Sequence, residues 1–263
     1  MRVVAIIQAR MGSTRLPGKV LADIGGRSML GRVCDRARRA ARVDQVVVAT
    51  TLEPDDQQIV DECARLQVAC FRGSTEDVLQ RYDQAARAFG ADAVVRITAD
   101  CPLIDPQVID LVVAAFQKGG QAPISAKKGA CPVFKIGDCP LLYASNTLRR
   151  TWPRGLDVEV MTAAALGSAC REAREPYQRT HVTPYIYEHP DLFRLLAVAG
   201  PQDLSHWRWT VDVPEDLDFV RAVYGRLGDG ETFSWRDVQQ LLAREPALAE
   251  LNRHVRQKQL VEG

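Results

Sequence analysis

Residues 3–19 read VVAIIQARMGSTRLPGK, and this stretch decides the architecture. Val3–Gln8 is an apolar run of strand length, the pattern of a strand covered on both faces. It passes directly into Gln8-Ala9-Arg10-Met11-Gly12-Ser13-Thr14-Arg15-Leu16-Pro17-Gly18-Lys19, where three cations, two hydroxyls and two glycines fall within twelve residues. A strand-to-loop junction of that composition aims backbone N–H groups and cations outward and suits a polyphosphate. Arginine can grip phosphate oxygens as a fork, and lysine supplies a compact charge. The stretch is not a P-loop: five residues rather than four separate Gly12 from Gly18, and Val20 rather than Ser or Thr follows Lys19. The rival reading is a solvated basic loop. Against it stands the mutual repulsion of three cations with no anion between them.

Working outward, Val46–Thr50, Val68–Phe71 and Val94–Thr98 read as further strands, separated by segments with helical spacing. Met29, Leu30, Val33, Cys34 and Ala37 form one apolar stripe after a possible Ser28 cap. Ile59, Cys63 and Leu66 form a second, and Val78, Leu79, Tyr82, Ala85, Ala86 and Phe89 a third. Such alternation predicts a Rossmann-like α/β fold, a mostly parallel sheet with helices on both faces. The pattern weakens over Gly119–Leu141, which reads as a loop carrying Lys127 and Lys128. It resumes with Leu156–Met161, a helix near Ala163–Ala173 and a segment Thr180–Tyr187. Phe193–Ala199 and Arg208–Val211 read as strands, Pro214 opens a helix through Tyr224, and a helical tail begins at Ser234. A single domain spanning residues 1–263 is expected, with a small excursion around 119–160 and a C-terminal helical tail over 229–263.

Two further stretches carry chemistry. In Arg96-Ile97-Thr98-Ala99-Asp100-Cys101-Pro102, Asp100 should sit just past the carboxyl end of a strand, the edge where open α/β sheets bind ligands. In Arg208-Trp209-Thr210-Val211-Asp212-Val213-Pro214-Glu215-Asp216, Asp212 is expected in the same setting. One such aspartate alone is more often a cap or turn residue. Two at one edge, beside a basic loop, could hold Mg²⁺, which takes one or two protein carboxylates and completes its shell with phosphate and water.

Composition narrows the partners. Over 263 residues the net charge is +1, so no general attraction to nucleic acid or an anionic membrane is expected. The seven cysteines form no CxxC pair, which argues against a zinc site or a disulfide framework and for a reduced, cytoplasmic setting. The first apolar run is too short for a signal peptide, and no run has membrane length.

These stretches together resemble the cytidylyltransferases of the CMP-KDO and CMP-sialate synthetase superfamily, and within it the SpsF-like branch associated with spore coat polysaccharide. The resemblance rests on IIQARMGSTRLPGKVL, GSTEDVLQRY, RITADCPLIDP, SNTLRRTWPRGLDVEV, HVTPYIYEHP and RWTVDVPEDLDFV, which together span most of the chain. It implies a nucleotide-diphospho-sugar transferase type of sheet and transfer of CMP from CTP to an acidic sugar, a nonulosonic or related 2-keto-3-deoxy acid, with release of pyrophosphate. It implies Mg²⁺ on Asp100 and Asp212, and catalytic roles for Arg10, Arg15, Lys19 and Asp100. Ala9, Arg10, Gly12, Ser13, Arg15, Lys19, Arg72, Gly73, Asp77 and Thr98 would line the nucleotide; Asp157, Glu159 and His181 would lie nearer the acceptor. A homodimer is common in such families.

Some alternatives stay open. Asp157 and Glu159 could be outward-facing strand acids, and His181 a structural histidine. Gln178-Arg179-Thr180 precedes His181 where the branch often has Glu-Arg-Glu, so an acidic acceptor contact is missing. The same fold could use another nucleotide, or a sugar phosphate or phosphonate acceptor, or bind nucleotide without turnover.

Overall fold

The computed structural model describes residues 1–119, 141–228 and 232–257. Lys127 and Lys128, half of the expected excursion and the ends of the expected tail lie outside the described residues. The sheet has seven strands among those described: β1 (Val3–Gln8), β2 (Gln45–Thr51), β3 (Ala69–Gly73), β4 (Ala93–Thr98), β5 (Leu142–Ser145), β6 (Glu159–Thr162) and β7 (Arg194–Ala197), in the order β3-β2-β1-β4-β6-β5-β7. All neighbours pair in parallel except those of β6, which runs antiparallel to both β4 and β5.

Strand β1 shows why the sheet is covered on both sides. Successive side chains point to opposite faces. Val3, Ala5 and Ile7 enter a core shared with α1 (Met29–Arg38), α2 (Gln57–Arg65), α4 (Pro106–Gly119), α8 (Pro214–Leu227) and α9 (Trp235–Arg244). Val4 and Ile6 enter a second core with α3 (Val78–Ala88) and α5 (Ala163–Glu172). The Ser28 side chain caps α1, accepting from the Gly31 N–H at 3.0 Å. No helix among the described residues is long and apolar enough to cross a membrane.

Several elements differ from the sequence reading. Strand β5 was not expected. Leu156–Met161 contracts to β6, and Thr180–Tyr187 is divided between α6 (Pro176–His181) and α7 (Pro184–Glu188). The break falls at Val182, held at φ 74°. Arg208–Val211 is not a strand: it makes one isolated bridge, Arg154 to Arg208, and runs on as an extended connection. Its N–H groups bond to distant segments instead of a ladder, Trp209 donating to the Arg154 carbonyl at 2.6 Å and Val211 to the Asp100 carbonyl at 2.8 Å.

Strand order reverses at β1: β2 follows on one side and β4 lies on the other. Crevices at such a switch point, beyond the carboxyl ends of the strands, are where open α/β sheets bind ligands. Both the basic loop after β1 and Asp100 after β4 leave the sheet there.

Candidate active site

The basic loop folds back on one carbonyl. Met11 O accepts from Ser13 N at 2.8 Å and from Gly18 N at 3.1 Å. Gly18, at φ 70°, lets the chain reverse into a single 3₁₀ turn, Lys19–Leu21. The start of the loop is held by Asp56, which is 2 % exposed. Its carboxylate accepts from Met11 N at 2.7 Å, Thr50 Oγ1 at 3.1 Å, Thr51 N at 3.2 Å and the Thr51 hydroxyl. Asp56→Ala would strand these buried donors. A stability loss of about 3 kcal/mol in urea denaturation is expected, since an unsatisfied buried donor costs roughly 1–3 kcal/mol. Nucleotide affinity should fall with it; unchanged affinity in titration calorimetry would show that the loop keeps its shape without Asp56.

The loop delivers Lys19 to a pair of carboxylates. Its Nζ lies 3.2 Å from Asp100 Oδ2, 2.9 Å from Asp212 Oδ1 and 2.6 Å from the Val211 carbonyl. Arg15 reaches Asp212 Oδ2 at 3.0 Å. The two aspartates meet because their segments are joined: the Asp100 carbonyl accepts from Val211 N and, at 3.1 Å, from Thr210 Oγ1. Thr98 Oγ1 donates to Asp100 Oδ1.

Behind Asp212 stands a buried network. Arg208 donates to Asp212 Oδ2 at 2.7 Å and to both oxygens of Asp216 at 2.9 and 3.0 Å. Asp216 also accepts from Asp212 N at 2.9 Å and from Val213 N at 3.2 Å, closing the first turn of α8. Asn252 donates to Asp216 Oδ1 and to the Arg208 carbonyl, both at 2.9 Å, so the C-terminal segment braces the site.

Charge states follow from this packing. Burial pulls the Lys19 pKa down, but Asp100 and Asp212 outweigh it and hold the ammonium above its ordinary value. Burial pushes Asp212 up; Lys19, Arg208 and Arg15 outweigh that and bring it down to about 2. Lys19 and Asp212 are therefore both charged at neutral pH. Two carboxylates converging on one cationic centre are a donor set that suits Mg²⁺. Among the described residues no group of three or more metal-ligating side chains occurs, so an ion held by Asp100 and Asp212 would take its remaining ligands from phosphate and water.

A cleft of ≈ 870 Å³ opens from this edge, and Arg15, Thr98, Asp100, Asp157, Glu159, His181 and Asp212 all line it. Arg150 grips Asp157 with two bonds, at 2.7 and 3.0 Å. Glu159 is 5 % exposed and accepts from Thr183 Oγ1 at 2.7 Å, from the Tyr143 hydroxyl and from Arg96. It is thus a buried, fully partnered acid rather than an outward-facing one. His181 closes α6 at the cleft wall.

Other expected nucleotide residues are spread more widely. Ala9 is buried, while Arg10 and Gly12 are exposed and Ser13 half-buried on the loop. Arg72 donates to the carbonyls of Thr51 and Glu53, both at 2.9 Å, and to Gln57 Oε1 at 3.0 Å. Gly73 ends β3 packed against Arg81 and Phe71. Asp77 caps α3, accepting from Gln80 N at 2.9 Å, and pairs with Arg179 at 2.7 Å. Arg179, in the segment that departs from the branch pattern, therefore ties α6 to the N-terminus of α3. The sequence reading missed Asp56, Arg150, Arg208 and Asp216. Arg150, Arg208 and Asp216 stand inside motifs already singled out, whereas nothing around Asp56 signals its reach to Met11.

A cytidylyltransferase family profile matches residues 4–229. The chain belongs to the cytidylyltransferase family. It is 32 % identical over 255 residues to the spore coat polysaccharide biosynthesis protein SpsF of Bacillus subtilis, covering 94 % of this chain and 96 % of that one. It is 41 % identical over 250 residues to a 3-deoxy-manno-octulosonate cytidylyltransferase of an Anaeromyxobacter species, covering 84 % and 96 %. A cytidylyltransferase structure from Leptospira borgpetersenii superposes with a TM-score of 0.85 at 31 % identity, covering 98 % of this chain and all of that one. This cytidylyltransferase is thus SpsF-like, with the nucleotide-diphospho-sugar transferase fold.

Proposed function

We propose that this cytidylyltransferase transfers CMP from CTP to an acidic sugar, a nonulosonic or related 2-keto-3-deoxy acid, releasing pyrophosphate, in surface polysaccharide biosynthesis. The observation that carries this reading is the meeting of Lys19 and Arg15 with Asp100 and Asp212 at the carboxyl edge of the sheet. The relatives support the nucleotide and the class of acceptor: one is named for 3-deoxy-manno-octulosonate and one for polysaccharide synthesis.

In the proposed reaction an acceptor hydroxyl attacks the α-phosphorus of CTP, the bond to the β-phosphate oxygen breaks, and pyrophosphate leaves. Such chemistry asks the protein for alignment and charge, with little covalent help. Lys19 and Arg15 neutralise the departing pyrophosphate. Asp100 and Asp212 would hold Mg²⁺, which supplies Lewis-acid charge on phosphate and lowers the pKa of an oxygen bound to it. Thr98 fixes the Asp100 carboxylate, and Arg208 fixes that of Asp212. Residues on the far side of the cleft, Asp157, Glu159 and His181, face the acceptor.

The test is pyrophosphate release from CTP, Mg²⁺ and a panel of sugar acids, with and without EDTA. Release with one acid, abolished by EDTA, is expected. Release insensitive to EDTA would remove the metal from the reading. CTP binding without release from any acid would favour another acceptor class, and no CTP binding would overturn the nucleotide assignment.

A further inference from the structure

Two residues other than glycine hold a positive φ among the described residues. Gln67, exposed at φ 52°, is the ordinary left-handed residue that follows a helix. Val182 is different. It lies between α6 and α7 at φ 74° and ψ −53°, and the Thr183 N–H donates to the His181 carbonyl at 2.9 Å. A bond between residues two apart across such angles is a γ-turn of the rare, strained form. A β-branched residue is poorly suited to it, because its Cβ carries two substituents. The side chain is fully buried in the core shared with α3 and α5.

The turn has a direct consequence for the cleft. His181 and Thr183 both line it, while Val182 between them enters the core. A continuous helix could not do this, since residues two apart lie about 200° around its axis. Reversing the chain at Val182 puts both on one side. It also lets the buried Thr183 hydroxyl donate to Glu159 Oε1 at 2.7 Å. The conformation is enforced from either end. Val182 N closes α6 on the Gln178 carbonyl at 3.1 Å. Pro184 opens α7 with its fixed φ, and the Thr183 carbonyl accepts from Ile186 N at 3.0 Å. Strain of this kind persists only where the surroundings over-determine it, and it gathers at functional sites.

We propose that Val182 is a positioning residue whose strained turn sets His181 and Thr183 together on the acceptor side of the cleft. This rests on the CTP-to-sugar reading above and adds the backbone device that holds the wall facing the acceptor. Val182 touches neither substrate and acts through its two neighbours. Burial of its branched side chain offsets the strain, so loss of that anchor releases the turn toward a negative φ. Thr183 then leaves Glu159, and His181 turns from the cleft. Glycine adopts a positive φ without steric cost, so V182G should keep the turn that V182A loses.

The test compares wild type, V182G and V182A of the full chain. At an ordinary buried position alanine is more stable than glycine; here the order should reverse, with V182G melting above V182A. T183V is then made in each of the three backgrounds. In wild type and V182G it should lower the folding equilibrium constant in urea denaturation by roughly tenfold, as loss of a bond to a charged group does. In V182A, where that bond is already lost, it should cost almost nothing. Steady-state rates with CTP, Mg²⁺ and either 3-deoxy-manno-octulosonate or a nonulosonic acid give the second readout. V182A should lose roughly tenfold in kcat/KM for the acid, chiefly through KM, with KM for CTP within about twofold, while V182G stays near wild type in both. A full T183V penalty in V182A, V182A melting above V182G, or an unchanged acid kcat/KM in V182A would each overturn the proposal and leave Val182 as core filling. If wild type turns over neither acid, the acceptor reading fails by itself, and the melts and the T183V comparison still decide whether Val182 sets the wall.

Discussion

Lys19→Ala is expected to lower kcat/KM for CTP by on the order of a hundredfold or more, the usual scale for losing one preorganised charge contact in a transition state. Lys19 is the only side chain seen to touch both carboxylates among the described residues, at 3.2 Å from Asp100 and 2.9 Å from Asp212. Its removal takes away the charge that holds these acids together and the one best situated for the pyrophosphate. Stability should change far less, because Asp212 keeps Arg15 at 3.0 Å and Arg208 at 2.7 Å. Steady-state pyrophosphate release paired with a thermal melt separates the two effects. A near-normal rate in a folded variant would remove Lys19 from the reaction. Lys19→Arg should recover little, since a planar fork does not replace a compact ammonium at a three-partner site.

Gly155→Ala is expected to be the most damaging glycine-to-alanine change for stability among the described residues. Glycine is required there twice over. Its φ of 104° lies where side chains are strained, and a Cβ would come within 2.5 Å of the Trp209 carbonyl carbon, 2.6 Å of its oxygen and 2.7 Å of Thr210 N. These are backbone atoms of the segment that leads to Asp212, so they cannot swing aside as a flexible side chain would. Strain of roughly 1–3 kcal/mol at the φ and a similar cost for overpacking give a loss of about 4 kcal/mol. For a chain of this size that corresponds to a drop in Tm of roughly 8–16 °C. Differential scanning calorimetry reads it directly; an unchanged Tm would mean that the contact between Gly155 and Trp209 is looser than the geometry indicates. Whatever folded fraction remains should show a raised KM for the proposed acceptor, because the same shift moves the cleft wall that carries Asp157.

Much of this was open to a reader of the chain. Val3–Gln8 flowing into ARMGSTRLPGK contains both the buried strand and the cationic loop, because burial on two faces and a cluster of cations are each written in consecutive residues. Asp100 and Asp212 could be singled out because each follows an apolar run that carries it to the sheet edge. Strand β5 escaped notice because four residues beside a glycine- and proline-containing stretch carry too little periodicity to register. Arg208–Val211 looked like a strand because its apolar alternation is real; the alternation serves packing of Trp209 and Val211 into the core, without a ladder partner.

The sequence by itself determined the mostly parallel α/β architecture, the cationic loop after β1 and Asp100 just past β4, since each depends on local pattern and on the period of a strand or helix. Only the tertiary structure decided the pairings across long stretches of chain. Asp56 reaches Met11, Arg179 reaches Asp77, and Glu159 is buried under Arg96, Tyr143 and Thr183. The physical reason is that a charged side chain's role is set by which opposite charges surround it after folding, and those neighbours arrive from distant segments, Asp212 lying 193 residues from Lys19.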